Sequence, residues 1–229
     1  MAATSERPTT LQKPYSQIGQ DLSVAKFFNF KLNGYFVDLG AYDGVKFSNS
    51  KALEDELGWH GICVEALPDR FAQLVQSRNK ETCKFYQCAL DSVSGKEVTF
   101  SCDEMLSGIT EKIDCYDKVR EQAPTVTLKT KTLSEILEDA QAPVMIDFLS
   151  LDVEGNEFEV LRGCDLKRWH FRFITLEHNY VEPRRSQMRL YLEGFGYKHW
   201  RKNEFDDEYI YLPDDFNMSQ LRRSPSQTR

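Results

Sequence analysis

Acidic side chains follow four short apolar runs of this 229-residue chain, and the first and third runs also lead into glycine. Parallel strands of an open α/β sheet end at a common edge, and ligands bind in the crevice beyond that edge. The sequence therefore predicts one pocket to which all four runs contribute polar groups. Those groups are Asp38, Gly40 and Gly44 after the first run, Glu65 after the second, Asp152 and Glu154 after the third, and Glu177, His178 and Asn179 after the fourth.

The first two runs have the spacing of a nucleoside site. Gly40 and Gly44 would let the backbone approach a ligand closely, because a Cβ atom at either position would obstruct it. Glu65 follows Gly44 by 21 residues and ends the next run, where an acid can bind the two ribose hydroxyls. The dinucleotide fingerprint G-x-G-x-x-G is incomplete, since Tyr42 stands at its second glycine. The alternative interpretation is an ordinary tight turn followed by a solvent-exposed acid.

The elements that must position these groups alternate between strand-like and helix-like patterns, which favours an α/β sheet with helices on both faces. Strands are predicted for 35–40, 61–66, 83–90, 97–102, 146–155 and 171–179. Helices are predicted for about 49–58, 69–79, 132–140, 156–163 and 183–193. The runs 195–200 and 208–213 are predicted to pair as an antiparallel hairpin at the sheet edge.

Composition indicates a single folded domain, because 41% hydrophobic and 12% aromatic residues exceed what disordered chains contain. We predict a domain over 14–213 between flexible tails at 1–13 and 214–229. Residues 101–124 are predicted as a substrate-covering insert, since loops of that length tend to be functional.

The net charge of −7 argues against nucleic acid as a partner. No run of eighteen apolar residues indicates a membrane span, and no apolar stretch near the start indicates a secretory signal. We expect a soluble, cytoplasmic protein with reduced cysteines, and the pattern predicts no particular oligomeric state.

Longer blocks carry a further signal, and they read "GYFVDLGAYDGVKFSNSKALEDELGWHGICVEA", "FLSLDVEGNEFEVLRG" and "ITLEHN". Together with "SQIGQD" near the start and "CALDSVSGKEVTF" in the middle, they resemble the FkbM-type family of S-adenosylmethionine-dependent methyltransferases over roughly Ser16 to Asn179. The resemblance implies a class I methyltransferase fold, which is Rossmann-like, with a mostly parallel seven-stranded sheet. It also implies methyl transfer, commonly to a hydroxyl of a small molecule or sugar.

Positions that match the family's motifs are expected to bind S-adenosylmethionine. The resemblance implies that Asp38, Gly40 and Gly44 surround the methionine part of this cofactor. It also implies that Glu65 binds the ribose and that Asp91 lies near the adenine. The full set predicted to bind the cofactor is Gln17, Asp38, Gly40, Ala41, Tyr42, Gly44, Asn49, Glu65, Ala66, Ala89, Asp91 and Asp152.

Ser16, Gln17 and Asp21 resemble the family's N-terminal motif, which is expected to close over the cofactor. Asp43 departs from the pattern, because a neutral residue is expected inside the glycine loop.

Methyl transfer is an in-line displacement, so the enzyme must align an oxygen nucleophile and help to remove its proton. His178 is predicted as the general base because an unperturbed imidazole has a pKa of about 6.5, Glu154 is the other possible base, and Asp152 is also predicted to be catalytic. Asp152 and Glu177 could instead hold Mg²⁺ or Mn²⁺, with His178 or Asn179 as third ligand, an arrangement similar to that of catechol O-methyltransferases. The same acids could also bind cofactor or substrate without a metal.

Tyr42 and Tyr180 are predicted to contact the substrate, because an aromatic platform beside acids suits a sugar. The predicted function is O-methylation of a small molecule, with a sugar or glycan terminus as acceptor. A non-catalytic binding or adaptor module with the same fold is the alternative, and a disrupted glycine loop would indicate it. A nicotinamide-dependent oxidoreductase is a third reading, which Tyr42 disfavours.

Overall fold

The structure, a computed structural model, describes residues 8–101 and 124–212. Its strands are β1 (Tyr35–Leu39), β2 (His60–Glu65), β3 (Cys83–Gln87), β4 (Ala89–Leu90), β5 (Glu97–Ser101), β6 (Thr125–Lys131), β7 (Met145–Leu151), β8 (His170–Glu177), β9 (Tyr197–Asn203) and β10 (Asp206–Tyr211). Its helices are α1 (Gln20–Phe27), α2 (Lys51–Leu57), α3 (Pro68–Ser77), α4 (Leu133–Asp139), α5 (Glu157–Arg162) and α6 (Arg184–Gly194).

Seven strands form the main sheet in the order β3-β2-β1-β7-β8-β10-β9. Neighbours from β3 to β8 pair in parallel, whereas β10 pairs antiparallel with both β8 and β9. The strand order reverses at β1, which lies between β2 and β7. In open α/β sheets a crevice forms beyond the carboxyl ends at such a reversal. The mostly parallel sheet and its antiparallel edge hairpin agree with the sequence prediction.

Side chains of the main sheet alternate between its two faces, and each face carries an apolar core. On one face Phe36 and Phe173 share a core with α1, α2 and α3, and on the other Val37 and Ile174 share a core with α4, α5 and α6. All four of these side chains are fully buried. Helices therefore cover both faces as predicted, which explains why the central strands are almost continuously apolar.

A second sheet of three strands, in the order β4-β6-β5, packs against the residues that follow β2. Its register pairs Val98 with Leu128 and Phe100 with Val126. These four apolar side chains pack together with Leu67, which follows β2. The alternation in "TVTLKTK" would have indicated β6, but no strand was predicted there.

Other elements differ in detail from the prediction. The predicted strand 83–90 is two strands, because β3 joins the main sheet and β4 joins the second sheet. Helix α1 was not predicted. Helix α4 begins one residue after the predicted start, because Thr132 is its N-cap and the Thr132 side-chain oxygen accepts a hydrogen bond from the Glu135 amide at 3.2 Å. Such an N-cap stabilises a helix by about 1 kcal/mol.

The predicted tails and insert lie mainly outside the described residues, which exclude 1–7, 102–123 and 213–229. Part of the predicted N-terminal tail is nevertheless well packed. Leu11 is buried, and the amides of Gln12 and Lys13 each donate to a carboxylate oxygen of Glu56 at 2.7 Å. Across 8–101 and 124–212, the helices fall short of the length and apolarity that crossing a bilayer requires.

Candidate functional site

A cleft opens at the carboxyl edge of β1, β2, β7 and β8. Each of these strands contributes an acid to its lining, namely Asp38, Glu65, Asp152 and Glu177 in that order. The cleft is also lined by eight further residues that the sequence had singled out, namely Gln17, Gly40, Ala41, Tyr42, Asn49, Ala66, Ala89 and Glu154. The four strand ends thus bring their polar groups to one place.

Gly40 lies where the glycine loop closely approaches the backbone of Asp152. Its φ of 83° lies in the left-handed region, and a Cβ atom there would stand 1.7 Å from the carbonyl oxygen of Asp152. The Gly40 and Ala41 amides both donate to the Val64 carbonyl, at 3.0 and 2.9 Å. The glycine loop is therefore held against β2 on one side and against the end of β7 on the other. Only glycine fits both the space and the conformation.

Gly44 does not line the cleft, contrary to the prediction that it would approach a ligand. A Cβ atom there would meet Ser77 and Leu74 of α3 within 2.7 Å, so this glycine allows helix packing. Asp43, the departure from the family pattern, closes the same turn. Its carboxylate accepts from the amides of Val45 and Lys46 at 2.9 and 2.7 Å.

Asp38 is positioned by a buried polar network. Ser50 donates a short hydrogen bond to its carboxylate, and Arg78 lies 4.0 Å from the same oxygen. Burial raises the pKa of Asp38, and the positive charge of Arg78 opposes that rise. Arg78 is itself buried, pairs with Glu54 and donates to the carbonyl of Gly44 at 3.5 Å. This network fixes the glycine loop to α2.

Glu65 ends β2 with its carboxylate already oriented. One oxygen accepts from the Tyr42 amide at 2.9 Å and the other from the Leu67 amide at 2.8 Å. Burial raises the pKa of Glu65 to about 7, although both backbone hydrogen bonds lower it. Two ordered oxygens at the end of the second strand suit the two hydroxyls of a ribose.

Two buried asparagines line the cleft, and each has a buried amide oxygen without a partner among the described residues. Asn49 donates from Nδ2 to Ser150 Oγ at 3.0 Å, and Asn156 donates from Nδ2 to the Leu90 carbonyl at 2.7 Å. Among the described residues, neither Oδ1 atom has a hydrogen-bond partner. A buried acceptor without a donor costs about 1–3 kcal/mol, so both oxygens suit N–H or O–H groups of a ligand.

The end of the cleft beyond Glu65 is apolar. Ala66, Leu67, Ala89 and Phe100 line it and pack as one buried cluster. Asp91, which the resemblance places near adenine, does not line the cleft. Its carboxylate bonds instead with Ser92 and Lys96, because it lies beyond β4 in the turn that leads to β5.

Three carboxylates meet at the opposite end of the cleft. One oxygen each from Asp152, Glu154 and Glu177 lies within 4.8 Å of the other two. Burial and then the charge of Glu154 raise the pKa of Asp152 well above its ordinary value. Burial and then the charge of Asp152 raise the pKa of Glu177 in the same way. This end of the cleft therefore favours a cation or protons.

His178 lies outside the cleft, contrary to its predicted roles as base and ligand. Glu177, the last residue of β8, lines the cleft, whereas the next residue, His178, is not among the lining residues. Its buried ring accepts from the Tyr180 amide through Nδ1 at 2.9 Å and lies 3.6 Å from Asp207. Asn179 does not line the cleft either, and Glu154 takes the third position among the acids instead.

The two predicted aromatic contacts have different positions. Tyr42 lines the cleft, and the Arg70 guanidinium lies 4.5 Å from its ring centroid. Tyr180 is exposed outside the cleft, where the Lys202 ammonium lies 4.6 Å from its ring centroid. Tyr180 is therefore not a lining residue.

The N-terminal motif reaches the cleft through Gln17. Ser16 and Asp21 lie outside the lining, and Asp21 shapes the turn by accepting from the amides of Tyr15 and Ser16 at 2.7 and 3.2 Å. Gln20 lines the cleft too, and its side-chain amide donates to Asp206 at 3.0 Å.

The family profile of the methyltransferase FkbM domain matches residues 38–199, which include the glycine loop and all three clustered acids. The chain belongs to the FkbM methyltransferase family. Methyltransferase sdnD of Sordaria araneosa is 27% identical over 226 residues, which cover 85% of this chain and 83% of that protein. These matches establish a methyltransferase, and the fold of such enzymes implies S-adenosylmethionine as the cofactor.

Solved structures share the fold at low identity. Methyltransferase FkbM from Methylobacillus flagellatus KT superposes with a TM-score of 0.50 at 13% identity, covering 78% of this chain and 44% of that one. The chain thus spans less than half the length of that structure. The METTL16 MTase domain superposes with a TM-score of 0.50 at 10% identity, covering 90% of this chain and 73% of that one. Both likenesses confirm the class I methyltransferase fold of this family member.

Several lining residues were not predicted from the sequence. Asn156 could have been noticed because it directly follows the acidic end of β7, at the start of α5. Phe100 could have been noticed because the alternation in "EVTFS" gives Val98 and Phe100 one apolar face. The other lining residues without a prediction are Gln20, Lys46, Phe47, Ser48, Val64, Leu67, Cys88, Leu90, Ser150 and Val153.

Proposed function

We propose that this FkbM family member is an S-adenosylmethionine-dependent O-methyltransferase that acts on a hydroxyl of a small molecule, with a sugar or glycan terminus as the acceptor. The observation that carries the proposal is the single cleft with two chemically different ends. One end offers the ordered carboxylate of Glu65 and an apolar wall, and the other offers three clustered acids. The first end suits a nucleoside and the second suits a reacting hydroxyl.

The residues of the first end fit the cofactor. The Glu65 carboxylate is ordered for two ribose hydroxyls, and the unpartnered Oδ1 atom of Asn49 suits the ammonium of a methionine. Gly40 has no side chain, so the glycine loop can lie close to the backbone of Asp152. When it is bound, S-adenosylmethionine supplies a methyl group on a positively charged sulfonium. The chain itself must then orient an acceptor oxygen and take up its proton.

The three acids are the groups of this chain that are suited to the acceptor. An oxygen of Asp152, Glu154 or Glu177 could accept a hydrogen bond from a hydroxyl and then hold its proton. Polyhydroxylated acceptors suit such a cluster because several hydroxyls can donate to several carboxylates.

We also propose that these acids hold Mg²⁺ or Mn²⁺. One carboxylate oxygen each from Asp152, Glu154 and Glu177 lies within 4.8 Å of the other two, and carboxylate oxygens are the ligands that these ions prefer, so these three residues would hold such an ion. Such an ion would neutralise the acids and lower the pKa of a bound hydroxyl. Removal of divalent ions with a chelator is then expected to lower turnover without abolishing binding of the cofactor.

Titration of the purified protein with S-adenosylmethionine and S-adenosylhomocysteine in a calorimeter tests the proposal. We expect both to bind and Glu65→Ala to weaken both, whereas Glu81→Ala, at an exposed acid outside the cleft, serves as the matched control. Absence of heat and of thermal stabilisation would refute cofactor binding.

Incubation with labelled cofactor and a panel of sugars and phenols, read by mass spectrometry, tests the acceptor class. Methylation confined to hydroxyls of small molecules is the expected result. Cofactor binding without any methylated product would favour a non-catalytic adaptor instead.

We also propose a class of partner and a location for this protein. The net charge of −7 and the acidic cleft argue against a nucleic acid partner. We propose a cytoplasmic enzyme that works on small molecules rather than at a membrane.

A further inference from the structure

Glu157, the first residue of α5, is fully buried and lies outside the lining of the cleft. Its Oε1 atom accepts hydrogen bonds from two backbone amides, that of Val153 at 3.2 Å and that of Gly155 at 2.8 Å. These two residues are the neighbours of Glu154 in the chain. One carboxylate oxygen therefore holds the backbone on both sides of an acid that belongs to the three-acid cluster.

The contact made by Glu157 differs from an ordinary helix cap. A capping oxygen accepts from amides in the first turn of the helix, whereas Val153 and Gly155 precede α5. The turn between β7 and α5 is also bound by Arg184, the first residue of α6. Its Nη1 donates to the Gly155 carbonyl at 2.8 Å, and its Nη2 lies 3.9 Å from Glu157 Oε2, where the positive charge offsets the buried carboxylate.

The backbone of Glu154 needs such support. Its φ of 57° lies in the left-handed region, which is unfavourable for a residue with a Cβ atom and persists where surrounding contacts impose it. The hydrogen bonds on either side of Glu154 are contacts of that kind. In this conformation one Glu154 oxygen lies within 4.8 Å of an oxygen of Asp152 and of Glu177.

We propose that Glu157 is a positioning residue for methyl transfer, because it holds Glu154 in the conformation in which the three acids meet. The inference rests on the proposed function, since it concerns the acids that are proposed to bind the reacting hydroxyl. Glu157 acts through Glu154 and does not touch the acceptor itself. Its role is to accept two hydrogen bonds at the right reach, and that role does not require its negative charge.

Two variants separate reach from charge. Glu157→Gln keeps the length of the side chain and one oxygen acceptor but loses the charge. Glu157→Asp keeps the charge but is one methylene shorter, so a single oxygen no longer reaches both amides. Glu159→Asp is the matched control, because it makes the same change two residues further along α5, where the carboxylate accepts from Ser92 Oγ instead.

Steady-state methyl transfer to the best acceptor of the panel of sugars and phenols gives the first readout. We expect Glu157→Asp to lower kcat/KM for the acceptor roughly 10- to 100-fold, the value of one hydrogen bond to a charged group. Glu157→Gln and Glu159→Asp should keep the value of the wild type. The KM for S-adenosylmethionine should stay unchanged in all three variants, whereas a general loss of structure would change both parameters.

Crystal structures of the two Glu157 variants give a second readout that needs no acceptor. In Glu157→Gln, residue 154 should keep its positive φ, and its carboxylate should stay beside Asp152 and Glu177. In Glu157→Asp the Glu154 carboxylate should leave the cluster. If that variant does not fold, Glu157→Ala, which has no side-chain acceptor, takes its place.

The outcomes separate this inference from the proposed function. Unchanged acceptor kinetics in Glu157→Asp would overturn the role of Glu157, and so would an equal loss in Glu157→Gln, because charge and not reach would then matter. A Glu154 carboxylate that stays in place in the shortened variant would overturn it too. If the wild type binds S-adenosylhomocysteine but methylates no acceptor, the proposed function fails, and the position of Glu154 in the crystal structures alone decides the role of Glu157.

Discussion

Acidification is expected to stabilise the free protein through Glu65. This side chain is 7% exposed, and its pKa rises from 4.5 to about 7 in the folded state, chiefly through burial. Between these two values the folded state keeps a proton that the unfolded state has lost. The stabilisation is therefore complete below pH 4.5 and is lost as the pH rises through about 7.

The magnitude follows from the same two values. With a folded pKa of about 7 and an unfolded pKa of 4.5, the contribution of Glu65 to the free energy of unfolding grows by about 2 kcal/mol between about pH 8 and pH 5.5. Asp206, whose pKa burial also raises to about 7, changes stability in the same direction. The measured quantity must therefore be the difference between the wild type and Glu65→Gln.

The affinity for the cofactor is expected to fall on acidification, whereas the stability of the free protein rises. The carboxylate accepts hydrogen bonds from ribose hydroxyls, and protonation turns one of its acceptors into a donor. Hydrogen bonds to a charged acceptor are stronger by about 1 kcal/mol each, so the affinity for S-adenosylhomocysteine should fall about tenfold or more as Glu65 is protonated.

Denaturant unfolding and calorimetry at a series of pH values check both effects. Glu65→Gln should remove about 2 kcal/mol of the pH dependence of stability and flatten the pH dependence of affinity. Glu81→Gln, an exposed control, should change neither. A difference between wild type and Glu65→Gln that stays constant with pH would refute the assignment of Glu65 as a buried, ribose-binding carboxylate.

Three further changes have defined outcomes. Gly40→Ala should lower the free energy of unfolding by about 2–5 kcal/mol, because the added Cβ would clash with the Asp152 carbonyl and the positive φ disfavours alanine. Gly95→Ala, with a φ of 82° and open space, should lower it by only about 1–2 kcal/mol. Equal losses of stability in chemical denaturation would contradict the close approach of Gly40 to Asp152. Arg78→Met should lower the free energy of unfolding by about 3–5 kcal/mol, because it leaves buried carboxylates without a positive partner. Arg162→Met, at a surface ion pair, should lower it by under about 1 kcal/mol. Similar denaturation midpoints for the two variants would argue against the buried network. Asp152→Asn should abolish Mn²⁺ binding measured by electron paramagnetic resonance, and an unchanged spectrum would remove the metal from the proposal.

The strand ends could be predicted from the sequence because their signal is local. An apolar run that ends in an acid marks both a buried strand and its carboxyl edge, so Glu65 and Asp152 could be assigned to the cleft in advance. The choice between Glu177 and His178 could not be made in the same way. It depends on which of two successive residues at the end of β8 lines the cleft, and the contacts of this strand end with the distant β9–β10 hairpin decide that.

Contacts between distant segments account for what the sequence did not reveal. Asn156 is oriented by the carbonyl of Leu90, 66 residues earlier in the chain. Gly44 was assigned to the ligand because its partner, helix α3, cannot be inferred from the loop alone. Phe100 enters the site only because β5 pairs with β6, a strand that was not predicted.

The placement of β10 between β8 and β9 has a consequence for synthesis of the protein on the ribosome. Strand β8 pairs through its outer edge with β10, where Glu177 lies opposite Asp206. The backbone groups of that edge therefore stay unpaired until translation has passed residue 211. A nascent chain halted at β9 would present an unpaired, apolar strand, which is a template for aggregation. Chaperones that shield exposed strand edges should therefore act on this chain late in its translation.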